Sequence, residues 1–401
     1  MAYDTIRLRS PFFPVNASLK SPLFERIKQK CILRQGTDLE SGELLYELHT
    51  GELLGSWDAR ISVQPKTEEW VIDANGRPRL TECLPYIIVE ASIHKVLYGQ
   101  NIFGGSSDIQ HCCKSFVEVL QKVFEVPLPE YTSWQVLKVD VSHVYNLPMP
   151  AIKQFFDGLQ LLSFPRRTRK ASRYEMAAHF PGRTTTIKLY HKGTEFKAHD
   201  YARLRSFFKT YYDITYGHNP QNINKATRKV DALHRLANNR LRVEVSIHSD
   251  KFQYDMGRVP RVHELTDDYL HTVHANEVER LLREGKQKME TVRTTQQVMA
   301  RLNNEYGQQK GMRLYGFWSS MVTLGDEATK LQYSKPTYFR NRKLLEEAGV
   351  SWRGSDVHVV ANDTLLPADF VPLPSDSRLC YLPARSRAEF SANSRLLTMA
   401  A

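Results

Sequence analysis

The chain reads as an α+β protein: an antiparallel sheet with flanking helices, followed by a mainly helical C-terminal part. Three observations predict this. Strand-like segments dominate the first half without strict alternation of strand and helix, which argues against a parallel sheet. Strand-like alternation then disappears after about residue 260. Finally, 401 residues with 41% hydrophobic content suffice for two domains with substantial cores, predicted over 1–260 and 261–401.

The elements follow in order. LLYELHTGELL, centred on Thr50 and Gly51, reads as a hairpin, and DARISVQP and PYIIVEAS as further strands. Ser106, Ser107 and Asp108 offer caps for a helix through FVEVLQKVF, where apolar residues recur every three or four positions. VLKVDVSHV reads as a strand. Pro150 then opens a helix with a buried stripe of Ile152, Phe155, Phe156 and Leu159. ANEVERLLREGKQKMETV and the stretch from Phe317 to Ala348 carry helical periodicity, while the last fifty residues, rich in Pro, Ser and Asp, read as irregular.

Lys and Arg outnumber Asp and Glu by 55 to 44, a formal charge of +11, which suits a polyanion such as nucleic acid or an acidic membrane surface. No apolar run approaches the roughly 20 residues of a membrane span, and MAYDTIRLRSPFFPVN lacks a signal-peptide core, so a soluble cytoplasmic protein is expected. No long helix combines a cationic with a broad apolar face, which disfavours a peripheral membrane protein. The five cysteines have no C-x-x-C spacing, which disfavours a disulfide framework or structural zinc. Cys112 and Cys113 fall on an apolar helical stripe and are expected in the core.

Alternate residues of a strand share a face. In LKVDVS, Lys138, Asp140 and Ser142 oppose Leu137, Val139 and Val141; in LRVEVSIH, Arg242, Glu244, Ser246 and His248 oppose an apolar set; in TIKLYHK, Lys188, Tyr190 and Lys192 oppose Ile187 and Leu189. Each face taken alone is most simply a solvated face of a half-covered sheet. If the three strands are neighbours, Asp140, Glu244 and His248 converge beside Tyr190 as ligands for Mg²⁺ or Mn²⁺ next to a hydroxyl nucleophile. Attack on a phosphodiester is the chemistry such a set suits, with Lys192 lowering the phenol's pKa. Gly193 leaves a second course open, a helix from Tyr190 onward in which Lys192 points away.

The residues VEASIHKVLYGQNIFGG resemble the A-S-x-x-K-V-L-x-G-x-N-x-F-G signature of the filamentous-bacteriophage gene II replication proteins. The match falls on Ala91, Ser92, Lys95, Val96, Leu97, Gly99, Asn101, Phe103 and Gly104. LKVDVS, LYHKGTE and LRVEVS are similar, in the same order, to the family's S-R-I-D-A-T, Y-x-K-x-x-E and R-F-E-A-R segments. The resemblance implies a rolling-circle initiator whose first domain is the nicking domain. Such a protein nicks the plus strand of the double-stranded origin, holds the 5′ end on a phosphotyrosine, leaves a 3′-OH for the host polymerase, and later closes the displaced single strand. It implies Tyr190 as nucleophile and host helicase and polymerase as partners; a homo-oligomer on the origin is compatible with it, the sequence leaving the oligomeric state open. Lys138 stands where the family has arginine, Glu90 lies two residues later than the family's nearest carboxylate, and His143 falls in the apolar phase of its strand, as a packed histidine would.

Two segments are expected to hold DNA. FPRRTRKASR carries Arg166, Arg167, Arg169, Lys170 and Arg173 within ten residues. WSSMVTLGDEATKLQYSKPTYFRNRKLLEEAGV resembles a helix, a turn and a second helix from near Ser334, with Lys335, Tyr338, Arg340, Arg342 and Lys343 toward its start and Phe339, Leu344 and Leu345 on its packed side. A shorter product, which the family makes from an internal start, would cover this region; Met289, Met299 and Met312 are candidate starts. The alternative function is a non-catalytic origin or operator binder in which Tyr190 merely stacks or packs.

Overall fold

A computed structural model of the chain describes residues 1–17, 20–37, 44–72, 75–159, 176–289, 295–350 and 352. The chain opens with β1 (Ala2–Arg9), α1 (Pro22–Gln29), β2 (Ile32–Thr37), β3 (Leu44–Leu54), β4 (Arg60–Ile72) and β5 (Pro78–Ser92). Next come α2 (Ile93–Tyr98), α3 (Ile109–Phe124), β6 (Gln135–Asn146), α4 (Met149–Leu159), β7 (Ala177–Phe180) and β8 (Thr185–His191). Helices α5 (Lys192–His199), α6 (Tyr201–Tyr216) and α7 (Asn222–Ala237) precede the last strand, β9 (Arg240–His248). Among the described residues, helices follow: α8 (Ser249–Met256), α9 (Asp267–Met289), α10 (Thr295–Tyr306), α11 (Gln308–Leu324), α12 (Asp326–Gln332) and α13 (Lys335–Glu347).

Among the described residues, nine strands form one sheet in the order β2-β3-β4-β5-β1-β6-β9-β8-β7, and every neighbouring pair is antiparallel. The α+β class expected from sequence is the class observed. Strand β1, which strand patterning did not single out, lies near the middle of the sheet. Tyr3, Ile6 and Leu8 are buried there, but Asp4 is buried too, and that polar residue interrupts the apolar signal.

The expected hairpin at Thr50 and Gly51 is instead one continuous strand. β3 pairs through Thr50 with Ile32 of β2 and from Gly51 onward with Val63 of β4. Gly51 serves close packing rather than a turn: a Cβ there would lie 3.2 Å from Cys31 Sγ. Asp108 caps α3 by accepting the His111 amide at 2.8 Å. Cys112 and Cys113 are fully buried, and burial pushes the Cys112 thiol up to about 12.

One core holds the apolar sides of α3, α4 and α8 against the sheet and includes Leu270, Val273 and Leu281 of α9. A second gathers Ile102 and Phe103 with Phe196 of α5 and the inner faces of α6 and α7. A third, from Val298 to Trp352, unites α10, α11 and α13. Gly311 lets α11 approach α10, since a Cβ there would sit 2.8 Å from Asn303 Cα. Among the described residues the strands lie before residue 260, α9 buries Leu270, Val273 and Leu281 in the sheet's core, and Val298 belongs to the third core. Among the described residues no helix is long and apolar enough to cross a membrane.

Candidate active site

Strands β6, β9 and β8 are adjacent, so their polar faces merge. Asp140 lies opposite Ser246, Lys188 opposite Glu244, and Tyr190 opposite Arg242. This face is only partly solvated: Lys138, Lys188, Tyr190 and His248 are half-buried. Asp140, Arg242, Glu244 and Ser246 are each at most 3% exposed, and α5 packs against β8 and β9.

Buried charges need partners. The Lys188 ammonium lies 3.1 Å from Asp140 Oδ2 and 2.7 Å from Glu244 Oε1. The Tyr190 hydroxyl donates to the other oxygen of Glu244, Oε2, at 3.0 Å. Arg242 places Nε 3.6 Å from that same oxygen and Nη2 3.1 Å from Asp4 Oδ2, and it donates to Ser142 Oγ and to the Asn101 carbonyl. Asp4 in turn accepts from Ser92 and Asn101. Two of the signature residues thus fix the acid that holds the arginine facing Tyr190. Asp4 had no place in the expected site; the alternation Ile6-Arg7-Leu8-Arg9 beside it was the available signal.

The electrostatics follow from burial and neighbours. Burial lifts the Tyr190 phenol well above its ordinary value, against the pull of Arg242 and with Glu244 adding to the rise. Burial also raises Glu244, which faces Asp140 as well as Lys188. Asp140 is lowered, because Lys188 and Lys138 outweigh its burial. The phenol is therefore neutral and already hydrogen-bonded to the carboxylate with the higher proton affinity of the pair.

Lys192 is not on Tyr190's strand. β8 ends at His191, which caps α5 through its side chain, and Lys192 is the first helical residue. Its fully buried ammonium is bonded to Glu195 Oε2 and lies 5.9 Å from the centre of the Tyr190 ring, so it has not swung away. Burial lowers its pKa despite Glu195, with Lys95 beside it. Glu195 Oε1 accepts from Lys95 at 3.0 Å, and Lys95 also reaches Asp200 at 2.9 Å. The lysine of the signature and the glutamate of Y-x-K-x-x-E thus meet in one ion-pair network. Gly193 is required there, since a Cβ would lie 2.0 Å from Asn238 Oδ1.

Among the described residues no three His, Cys, Asp or Glu side chains are grouped to hold a metal ion. His248 does not complete a triad with Asp140 and Glu244: its Nε2 lies 3.0 Å from Thr186 Oγ1, and Lys138 faces it across the sheet. Glu90 is paired with Lys138 at 2.8 Å. His143 packs 4.8 Å from the His274 ring, and burial pushes its pKa down to about 3.

Arg166, Arg167, Arg169, Lys170 and Arg173 lie outside the described residues. The helix, turn and helix near the C-terminus are α12, Tyr333–Ser334 and α13, packed on α11. Lys335, Arg340 and Lys343 are exposed. Tyr338 is not: it is 1% exposed and bonds Asp326, while Phe339 is 47% exposed. Leu345 is packed as expected, but Tyr338, seven residues before it, takes the inward place expected of Phe339. Arg342 is half-buried over Trp352 and within 3.7 Å of Asp326.

The family model for the N-terminal part of the phage gene II replication-associated protein matches residues 36–300. Comparisons with curated proteins and with solved structures returned no match. The matched region contains the signature and all of β6, β8 and β9, and it covers more than half of the chain. The chain therefore belongs to the gene II replication-associated protein family of filamentous phages, and it is a phage replication-associated initiator protein.

Proposed function

We propose that this initiator nicks the plus strand of double-stranded phage DNA at the origin through Tyr190 and later rejoins the displaced strand. The supporting observation is the hydrogen bond from the Tyr190 hydroxyl to Glu244 Oε2, within a cluster closed by Lys188 and Arg242. Glu244 accepts the phenolic proton as Oη bonds to phosphorus, and the P–O3′ bond breaks. The proton passes from Glu244 to the leaving 3′ oxygen, giving the 3′-OH. Lys188, half-buried, and Arg242, fully buried, hold positive charge beside the reacting phosphate. The phosphotyrosine ester conserves the bond's energy, so rejoining is the same step reversed and needs no ATP.

Magnesium is commonly held by one or two carboxylates together with water and phosphate oxygens. Asp140 and Glu244 fit that requirement as the holding residues: both are hard oxygen donors around one cation position, and Asp140 Oδ1 is buried without a hydrogen-bond partner. Mg²⁺ or Mn²⁺ bound there would supply polarisation of the scissile phosphate. Lys335, Arg340 and Lys343, at the exposed start and outer side of α13, suit contact with a DNA groove. The basic run 166–173 suits phosphate.

The test is incubation with supercoiled origin plasmid and Mg²⁺, then denaturation and mapping of the DNA-linked peptide. The expected adduct is on Tyr190. An adduct on Tyr201, whose hydroxyl is given to Asp231, would overturn the assignment of the nucleophile; binding without any relaxation would favour the non-catalytic binder.

A further inference from the structure

The hairpin of α6 and α7 is strongly basic and lies outside the expected DNA-holding segments. Residues 197–240 contain nine Lys or Arg and only three Asp or Glu. All three acids are engaged internally. Asp200 pairs with Lys95 and Arg203, Asp213 with Lys209 and Asn222, and Asp231 accepts the Tyr201 hydroxyl.

Helix α7 buries Ala226, Val230, Leu233 and Ala237 along one stripe. Lys225, Arg228 and Arg235, separated by three and seven positions, share the opposite, exposed face. Among the described residues no carboxylate pairs with any of the three. Helix stability does not account for them. Lys225 and Arg228 lie in the first half of α7, where the helix dipole disfavours cations, and its first turn has no acid.

The helix is anchored to the site. The carbonyl of Asn238, just past the C-terminus of α7, is 2.9 Å from Nε2 of His191, the residue after Tyr190. The C-terminal end of α7, near which Arg235 lies, is therefore tied to the segment that carries Tyr190. No aromatic residue lies on the cationic face, and single strands are held largely by stacking on such rings.

We infer that the outer face of α7, through Lys225, Arg228 and Arg235, is a phosphate-contacting surface that holds duplex DNA flanking the nick without reading its sequence. This rests on the nicking reading for its location, but its test does not require nicking. The triple variant Lys225→Gln, Arg228→Gln, Arg235→Gln is compared with wild type for binding to an origin duplex, a scrambled duplex and a single strand of equal length between about 50 and 200 mM salt. The plot of log K against log salt becomes shallower by about 2 to 3 on both duplexes, at roughly 0.9 per phosphate contact removed. The ratio of origin to scrambled affinity stays unchanged. Thermal unfolding, which exposed substitutions leave near the wild-type value, serves as the folding control.

An unchanged slope overturns the inference. So does a loss confined to the single strand, which would give the surface to the displaced strand, or a loss confined to the origin duplex, which would mean base readout. A wild-type protein with a steep duplex salt slope but no nicking would remove the nicking reading and leave this surface standing.

Discussion

Two clusters of buried charge flank Tyr190, and they are built differently. On the sheet side, Asp140, Lys188, Arg242 and Glu244 come from three adjacent strands whose alternate residues meet across the ladder. On the helix side, Lys192 and Glu195 sit in the first turn of α5 and meet Lys95 from α2, a hundred residues earlier in the chain. The first cluster bonds the phenolic oxygen itself. The second approaches only the ring, and its charges largely satisfy one another. The difference teaches that neighbours in a short motif need not share surroundings: the tyrosine's hydroxyl joins the sheet-side cluster, while the lysine and glutamate of the same motif pair with each other on the helix side.

Tyr190→Phe tests the sheet side and has the largest expected effect. Relaxation of origin plasmid falls more than about a thousandfold, duplex binding is kept, and stability changes by about 1.5 kcal/mol or less because one hydrogen bond is lost. Glu195→Gln tests the helix side. Removing one partner of a buried ion-pair network leaves the Lys192 ammonium uncompensated, so unfolding in urea shifts by about 3–5 kcal/mol. If Glu195→Gln instead left stability unaltered and abolished nicking, the division between the clusters would fail.

Acidification probes the segment that joins them. His94 of α2 is fully buried, and burial holds its pKa down from 6.5 to about 4. Between those values the unfolded chain binds more protons than the folded one, so stability falls as pH drops through this window. The contribution is on the order of 3 kcal/mol. Urea midpoints at neutral pH and near the bottom of the window measure it, and His94→Gln should remove part of the difference; a flat profile would mean that this histidine is not kept neutral.

Much of the sheet-side site was legible because strand periodicity is local and simple. Once Asp140, Glu244 and Tyr190 were seen on polar faces, only strand adjacency was needed. That adjacency belongs to topology, which a single sequence does not display. Lys192 was assigned by extending a strand one residue too far, since the switch to helix at His191 depends on its side-chain cap and on Gly193 meeting Asn238. Asp4 was missed because a lone carboxylate in a short strand resembles a surface residue until an arginine is found opposite it. Tyr338 was placed outward because a basic helix with adjacent aromatics fits two phases, and packing on Phe317 chose between them.

Among the described residues, Leu281 and Val298 belong to two different sets of packed side chains, and this has a consequence for truncated polypeptides. A chain begun at Met289 contains every buried apolar residue of the cluster that unites α10, α11 and α13, whereas one begun at Met312 lacks Val298 and Leu302 of that cluster. Only a polypeptide begun upstream of Val298 therefore carries the whole described set.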